Sequence, residues 1–418
     1  MEGDKTFVYR SFAVTVQGGS HIKSGTVCQD ASDFYDDEGV SIAVVADGHG
    51  DSNCFRSDRG AKFAVACATK GIQQFVREHE ALFKPGLLKK PSPPSHKELD
   101  KFIREKLIRQ TVASWNMLVM EDSRKNPFTP QELENVSEKY RKRYEKGETT
   151  NKAYGTTLIA AAITPWYWFA FHIGDGRFSV LYQDGSGGQP VPWDEKCFLN
   201  VVTSICDDDI LDRYDDEEER YSGVRTFLSM KEDEAPPIAF FLCSDGVDDN
   251  YPVEGNEKHL YRLYRNIAVT FADDGYESTC GKDGKLGQIK DLAIGFATKG
   301  KGDDTSLAGI VNIEKLKKAA PQWKEKMASD EAARAAAKAA EAERIAEEAK
   351  AAEKAAEDAA ARREARRAER ESEREAAEAK AKAKADAGEK AETKADTGKK
   401  TSGGEDIENY GEFSSNAG

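Results

Sequence analysis

At 418 residues the chain is long enough for one large domain plus extensions, and its formal net charge of −14 at pH 7 argues against nucleic acid as the main ligand while suiting divalent cations, which take oxygen ligands. Seven scattered cysteines, odd in number and without a C-x-x-C pair, speak for a reducing compartment over a disulfide framework or a zinc site. No apolar run approaches the ~18 residues of a membrane helix, and the charged start MEGDKTFVYR has no apolar signal core, so a soluble cytoplasmic protein is expected, with neither nucleic acid nor membrane as partner.

The first expected element is a strand over 7–16, FVYRSFAVTV, and the second a buried strand over 40–46, VSIAVVA. Apolar residues at helical spacing from Ala61 to Val76 predict a helix over 57–83. A second helical pattern fills 97–121, after the proline-rich breaker KPGLLKKPSPPSH. Thr129-Pro130 opens a short helix over 130–146. Strands return at 155–163, 166–174 and 178–184, with Thr164-Pro165 and Asp175-Gly176 between them as turns, which predicts a meander. Residues 185–236 read as irregular and very acidic. A strand over 238–246, helices over 256–272 and 285–300, and a strand over 305–313 complete the body. Elements come in blocks rather than strict alternation, and no internal repeat is present, which favours stacked sheets flanked by helices over a doubly wound parallel sheet.

Beyond about residue 324 the composition changes. Residues 328–385 are nearly half alanine with good helix formers between, and pairs such as Asp330 with Arg334 and Asp358 with Arg362 have helical spacing. Ile345 is the only large apolar residue in that stretch, so a coiled-coil seam is absent. A solvated single helix is the plain reading; a spacer or docking arm is the sharper one. Residues 386–418 have no apolar pattern and read as disordered.

Four places in the body share one design: an apolar strand, or its neighbour, meets Asp beside Gly or a second Asp. They are Asp47-Gly48 after IAVVA, Asp175-Gly176 after FAFHIG, Asp245-Gly246 after AFFLCS, and Asp303-Asp304 before TSLAGIV. Asp30, in CQDAS, precedes the second strand. One Asp-Gly is the default composition of a turn. Four such ends are harder to dismiss, because converging carboxylates repel unless a cation neutralises them. Glycine lets the backbone approach and offer its carbonyl. An all-oxygen set selects Mg²⁺ or Mn²⁺ over zinc, and two such ions activate water for phosphoryl transfer. The residues alone therefore suggest a dinuclear metal hydrolase.

The motifs VVADGHGD, YGTTLIAAAI, FHIGDGRFSV, FLCSDGVDD and GDDTSLAGI, with CQDAS before them, stand in the order and at the approximate spacing of the metal-dependent serine/threonine protein phosphatases of the 2C type. The chain resembles that family over about residues 10–313, as a divergent member. The resemblance implies an α+β fold, a four-layer α/β/β/α sandwich of two antiparallel sheets flanked by helices, here with a C-terminal Ala/Glu/Lys/Arg-rich tail. It implies two Mn²⁺ or Mg²⁺ ions and a weaker third in some members. Asp47 would bridge both ions, Gly48 would offer its carbonyl to one, Asp245 and Asp303 would hold the other, and Asp30 would act through water. Asp175 and Asp249 match positions of the third ion. His49 matches the proposed general acid for the leaving oxygen, in a hydrolysis without a phosphoenzyme.

Three departures stand out. The family's phosphate-gripping arginine falls at Gly25, leaving Lys23, His21, Arg56 and Arg59 as candidate substitutes. Asp304 stands where Asn is usual, and Asp248 where Trp often is. Expected partners are phosphorylated proteins and a cognate Ser/Thr kinase, with the chain a monomer. The expected division is a phosphatase domain over 1–318, a helical extension over 319–385 and a tail over 386–418. The alternative is a weak or dead module that binds phosphoproteins or a kinase and uses the tail as an arm. Family members often carry a flap at 185–236; here its run from Asp207 to Glu219 would favour basic phosphopeptides.

Overall fold

The structure is a computed structural model that describes residues 8–37, 39–84, 94–191, 194, 197, 201–211, 223–252, 254–284 and 287–392. The chain divides into two units, residues 1–329 and 330–418. The first half of the first unit holds β1 (Tyr9–Val16), α1 (Gly19–Ser24), β2 (Ala31–Asp37), β3 (Val40–Ala46), α2 (Ser57–Phe83), α3 (His96–Phe102), α4 (Arg109–Lys125) and α5 (Glu138–Glu145). There follow β4 (Leu158–Ile163), β5 (Tyr167–Ile173), β6 (Arg177–Leu181), β7 (Gly187–Gly188), β8 (Arg225–Met230), β9 (Ala239–Cys243), α6 (Asp245–Asp248), α7 (Asn256–Asp274), α8 (Tyr276–Cys280), α9 (Gln288–Lys299), β10 (Thr305–Asn312) and α10 (Ile313–Glu392).

The strands form two five-stranded sheets, ordered β1-β10-β9-β6-β7 and β2-β3-β4-β5-β8, and all the paired strands run antiparallel. β3 explains why its sequence is a continuous apolar run. Ile42, Val44 and Ala46 pack into a cluster with Ala61, Ala64 and Ala68 of α2, while Ala43 and Val45 join Phe240, Leu242, Ala308 and Ile310 of the other sheet. A strand covered on both faces needs no polar alternation. The far face of the first sheet presents Phe12, Phe241 and Leu307 to Tyr264, Ile267 and Phe271 of α7 and Ala293 of α9. The order of layers is helix, sheet, sheet, helix, the four-layer sandwich expected.

Several details differ from the sequence reading. β2 and β8 read as no strand because their sequences, ASDFYDD and RTFLSM, are polar or mixed; both are edge strands, β2 partly exposed along its length and β8 mostly buried. The helix expected over 130–146 forms only from Glu138 to Glu145. Thr129 and Glu132 do make a reciprocal cap, with Glu132 Oε2 accepting from Thr129 N–H at 2.8 Å, but the same carboxylate is drawn to Arg56 at 3.0 Å and only a turn follows. The helical pattern of 97–121 is broken by a π-helical turn over Ile103–Ile108 and runs on to Lys125.

α10 begins in the first unit, where Leu316, Ala319, Ala320 and Trp323 are buried in the cluster beneath the first sheet. Trp323 Nε1 donates to Gln183 O at 3.1 Å. In the second unit the helix continues to Glu392, and every side chain from Asp330 to Ala385 is exposed. Arg344 pairs with Glu341 and Glu348 at 2.6 Å each. Of the segment expected to be disordered, 386–392 continues the helix and the rest lies outside the described residues. Among the described residues no helix is long and apolar enough to cross a membrane.

Candidate active site

Antiparallel pairing places the end of one strand beside the start of its neighbour, and this gathers the acidic motifs. Val45 of β3 lies opposite Ile159, and Leu158 lies opposite Ile173, so Asp47 and Asp175 leave the second sheet at the same end. Arg177 and Leu307 both lie opposite Cys243, so Asp245, Asp303 and the β5–β6 turn leave the first sheet at that end too. One pocket of about 620 Å³ opens there, lined by Asp30, Asp47, Gly48, His49, Asp175, Asp245, Asp303 and Asp304 with His21 and Lys152.

The motif that opens the site is held by its backbone. Asp47 N–H donates to Thr157 Oγ1 at 2.9 Å, and Asp47 O accepts from Thr157 N at 2.8 Å and Thr156 Oγ1 at 2.8 Å. Gly48 N–H donates to Gln29 O at 3.2 Å, and His49 N–H to Gly155 O at 3.1 Å. A Cβ on Gly48 would stand 2.6 Å from Gln29 O and 2.8 Å from Ser57 C, so only glycine lets the three segments meet. Asp51, without an obvious role in the sequence, caps the following 3₁₀ turn; its Oδ1 accepts from Asn53 N at 2.6 Å.

Burial dominates the electrostatics. It pushes Asp47 well above the usual aspartate range, aided by repulsion from Asp245, Asp30 and Asp175. Asp30 is raised in the same way, by burial and then by Asp245 and Asp304, although Ser244 Oγ donates to its Oδ2 at 2.7 Å. Asp245 is pushed up to about 7, first by burial and then by Asp175. Asp245 adds to the cost of ionising Asp47, and Asp175 to that of ionising Asp245, so the cluster holds a proton or a cation more readily than a full set of bare charges. A divalent cation does the same neutralisation better, and carboxylates with a glycine carbonyl are the donors that Mg²⁺ and Mn²⁺ take. The residues present therefore fit the implied ions in chemistry, although among the described residues no three such side chains already converge as a ligand group. His49 is held down to about 4 by burial and then by Lys152, and its buried Nε2 has no hydrogen-bond partner among the described residues.

Not every expected residue joins. Asp249 is exposed, stands outside the pocket lining and pairs with Lys301 Nζ at 2.9 Å. Of the phosphate candidates, only His21 lines the pocket, with its Nδ1 at 2.9 Å from Asp304 Oδ2. Lys23 does not line it. Arg56 is buried elsewhere: its Nε donates to Glu132 Oε1 at 2.6 Å and its Nη1 to Asn126 O at 2.7 Å and Tyr154 OH at 2.8 Å. Arg59 is paired with Asp122. Neither arginine lines the pocket of the acid-tipped strands.

The departures also find partners. Asp304 is buried; its Oδ1 accepts from Gly18 N at 2.7 Å and its Oδ2 from Gln29 N at 2.6 Å. Asp248 accepts from Arg177 Nε at 2.6 Å. Gly25 closes α1 in the left-handed region at φ 75°. Lys152 is the lining residue the sequence reading missed. Burial works against its charge, but Cys206, Cys54 and Asp207 together hold its pKa above the ordinary lysine value. The only signal was its place two residues before YGTT. Within the expected flap segment the described residues include β7 and β8, while 212–219 of its acidic run lie outside the described residues.

The model of the family described as Protein phosphatase 2C matches residues 17–277. No curated protein sequence matches the chain. Similar solved structures include the serine/threonine phosphatase Stp1 from Staphylococcus aureus, 14% identical over 74% of this chain and 99% of that one with a TM-score of 0.38. PppA, described as a key regulatory component of T6SS in Pseudomonas aeruginosa, is 15% identical over 73% of this chain and 98% of its own, TM-score 0.40. The Mycobacterium tuberculosis serine/threonine phosphatase PstP/Ppp is 15% identical over 73% and 99%, TM-score 0.35.

Proposed function

The chain belongs to the protein phosphatase 2C family, and from that premise we propose that it hydrolyses phosphoserine and phosphothreonine on proteins with two Mn²⁺ or Mg²⁺ ions and no phosphoenzyme. The observation that carries this reading is the convergence of acid-tipped ends from both sheets on one pocket that also holds His49. In this reading Asp47, the Gly48 carbonyl, Asp245 and Asp303 hold the ions, with Asp30 behind them and Asp175 beside a weaker third. When bound, the ions supply Lewis-acid activation of water and neutralise charge on the phosphoryl group.

The chain's own residues do the rest. Thr156, Thr157 and Gln29 fix the backbone of Asp47 and Gly48, so the ligand atoms need little reorganisation. His49 lines the pocket, its buried Nε2 has no partner among the described residues, and it serves as the proton donor to the seryl or threonyl oxygen. Its low resting pKa means that it is neutral at pH 7, so it takes up its proton as the anionic substrate enters beside it. The proposed division is a catalytic module over 1–318, a helical extension over 319–385, whose first turns through Trp323 pack on the body, and a tail over 386–418. The proposed setting is cytosolic, with free cysteines throughout the described residues, as a monomer opposing a Ser/Thr kinase.

Hydrolysis of p-nitrophenyl phosphate and of a phosphothreonine peptide, with Mn²⁺ and with chelator, tests the reading. Turnover should require the metal, and Asp245→Asn should reduce it by at least about 100-fold. Metal-independent turnover, or none on either substrate, would sink the proposal.

A further inference from the structure

Phosphoryl oxygens entering this pocket meet a wall of carboxylates, so bound ions leave charge still to be balanced. Among the described lining residues Lys152 is the one lysine or arginine. The basic residues that sequence offered are otherwise engaged or outside the lining, and position 25, where the family carries arginine, holds a left-handed glycine at φ 75°.

Lys152 is built into the site. It sits on a 3₁₀ turn over Thr150–Tyr154 that starts from Thr149 at φ 52°, a left-handed backbone that a β-branched residue rarely adopts. The turn is tied on both sides. Lys152 N–H donates to Thr149 O at 2.9 Å, and Lys152 O accepts from Gly155 N at 3.1 Å. Ala153 O accepts from Arg56 N at 2.8 Å, and Gly155 O accepts from His49 N at 3.1 Å. Asn151 Nδ2 donates to Cys206 O at 3.1 Å. The segment is thus bonded to the loop that carries Asp47 and His49. The Lys152 ammonium makes no direct hydrogen bond or salt bridge among the described residues, and Asp207 acts on its charge only at longer range. A fixed backbone that sets an ammonium with three undirected donors in the lining of an acidic pocket is the arrangement of a ligand-binding lysine.

We propose that Lys152 binds the phosphoryl oxygens of the substrate, in place of the guanidinium that the family carries at position 25. The proposal rests on the phosphatase reading, but its test does not need turnover. Calorimetric titration of the full chain with inorganic phosphate, at saturating Mg²⁺, compares wild type with Lys152→Met, Lys152→Arg and Lys62→Met, the last a charge-loss control on the exposed face of α2. Lys152→Met should weaken phosphate binding about tenfold or more, Lys152→Arg should stay within about threefold, and Lys62→Met should match wild type. Removing a like charge from beside the carboxylates favours the cation, so Lys152→Met should bind Mg²⁺ as tightly as wild type or more tightly. Opposite effects on anion and cation are something a merely structural lysine does not give. If Lys152→Met fails to fold, Lys152→Gln carries the same comparison. Unchanged phosphate affinity in the methionine variant, or equal loss in the arginine variant, overturns the assignment. A wild type that binds Mg²⁺ and phosphate through Lys152 yet turns over no phosphoester overturns only the phosphatase reading.

Discussion

At the scale of single residues the site is in conflict with the stability of the body. Asp30, Asp47 and Asp245 are buried together, and burial with mutual repulsion raises all three. For Asp245 the window runs from the ordinary 3.8 to about 7. Below it both folded and unfolded chains are protonated, and the folded state suffers no penalty. As pH rises through it the unfolded chain ionises freely and the folded one does not, so stability is lost. In chelator the chain should therefore melt at a lower temperature at pH 8 than at pH 5.5. Asp245→Asn should raise the melting temperature at pH 8 toward that at pH 5.5, and calorimetric melts with and without Mn²⁺ check both. Position 25 shows the opposite economy. Gly25→Arg would restore the family's residue type, but it forces a left-handed backbone on a side chain and should cost about 1–2 kcal/mol.

At the scale of elements the arginines explain how α2 is seated. Arg56, just before α2, joins the 126–132 turn to Tyr154 through its guanidinium, which also lies 4.6 Å from the centre of the Phe128 ring. Arg56→Ala leaves Glu132 and buried carbonyls without their donor and should destabilise the fold by roughly 3 kcal/mol, while kcat/KM of the remaining folded protein changes little. Urea unfolding beside kinetics separates the two, and a selective loss of kcat/KM would return Arg56 to the phosphate. The start of α10 is equally part of the body. Trp323 is 2% exposed, so Trp323→Ala should cost about 3–5 kcal/mol.

For the whole molecule the contrast between the two units is one of burial. The helix beyond Asp330 exposes every described side chain to Ala385 and is held by backbone bonds and local ion pairs such as those of Arg344. A chain ending at Ser329 should keep the melting temperature of the full chain within about 2 °C, since every described side chain of 330–385 is exposed. A chain ending at Asn312 should lose it, because Leu316, Ala319, Ala320 and Trp323 go too. A large fall in the first truncation would show that the second unit stabilises the body.

The strands with continuous apolar runs and the helix of α2 were legible in the sequence because burial on one or two faces writes itself into local composition. So were the acidic ends, since four Asp-bearing tips are more than turns require. β2, β8 and the failed first turn of the 130–146 helix were not, because edge strands carry mixed residues and Glu132 is claimed by an arginine 76 positions away. Long separations in sequence likewise hid the partners of Arg56, Asp248 and Asp304. Sequence by itself determined which residues carry charge, where strands stop and which chemistry an all-oxygen set suits. Only the tertiary structure decided which charges meet, because antiparallel register brings together strand ends that lie more than a hundred residues apart, and a side chain's free donors depend on neighbours that no local pattern records.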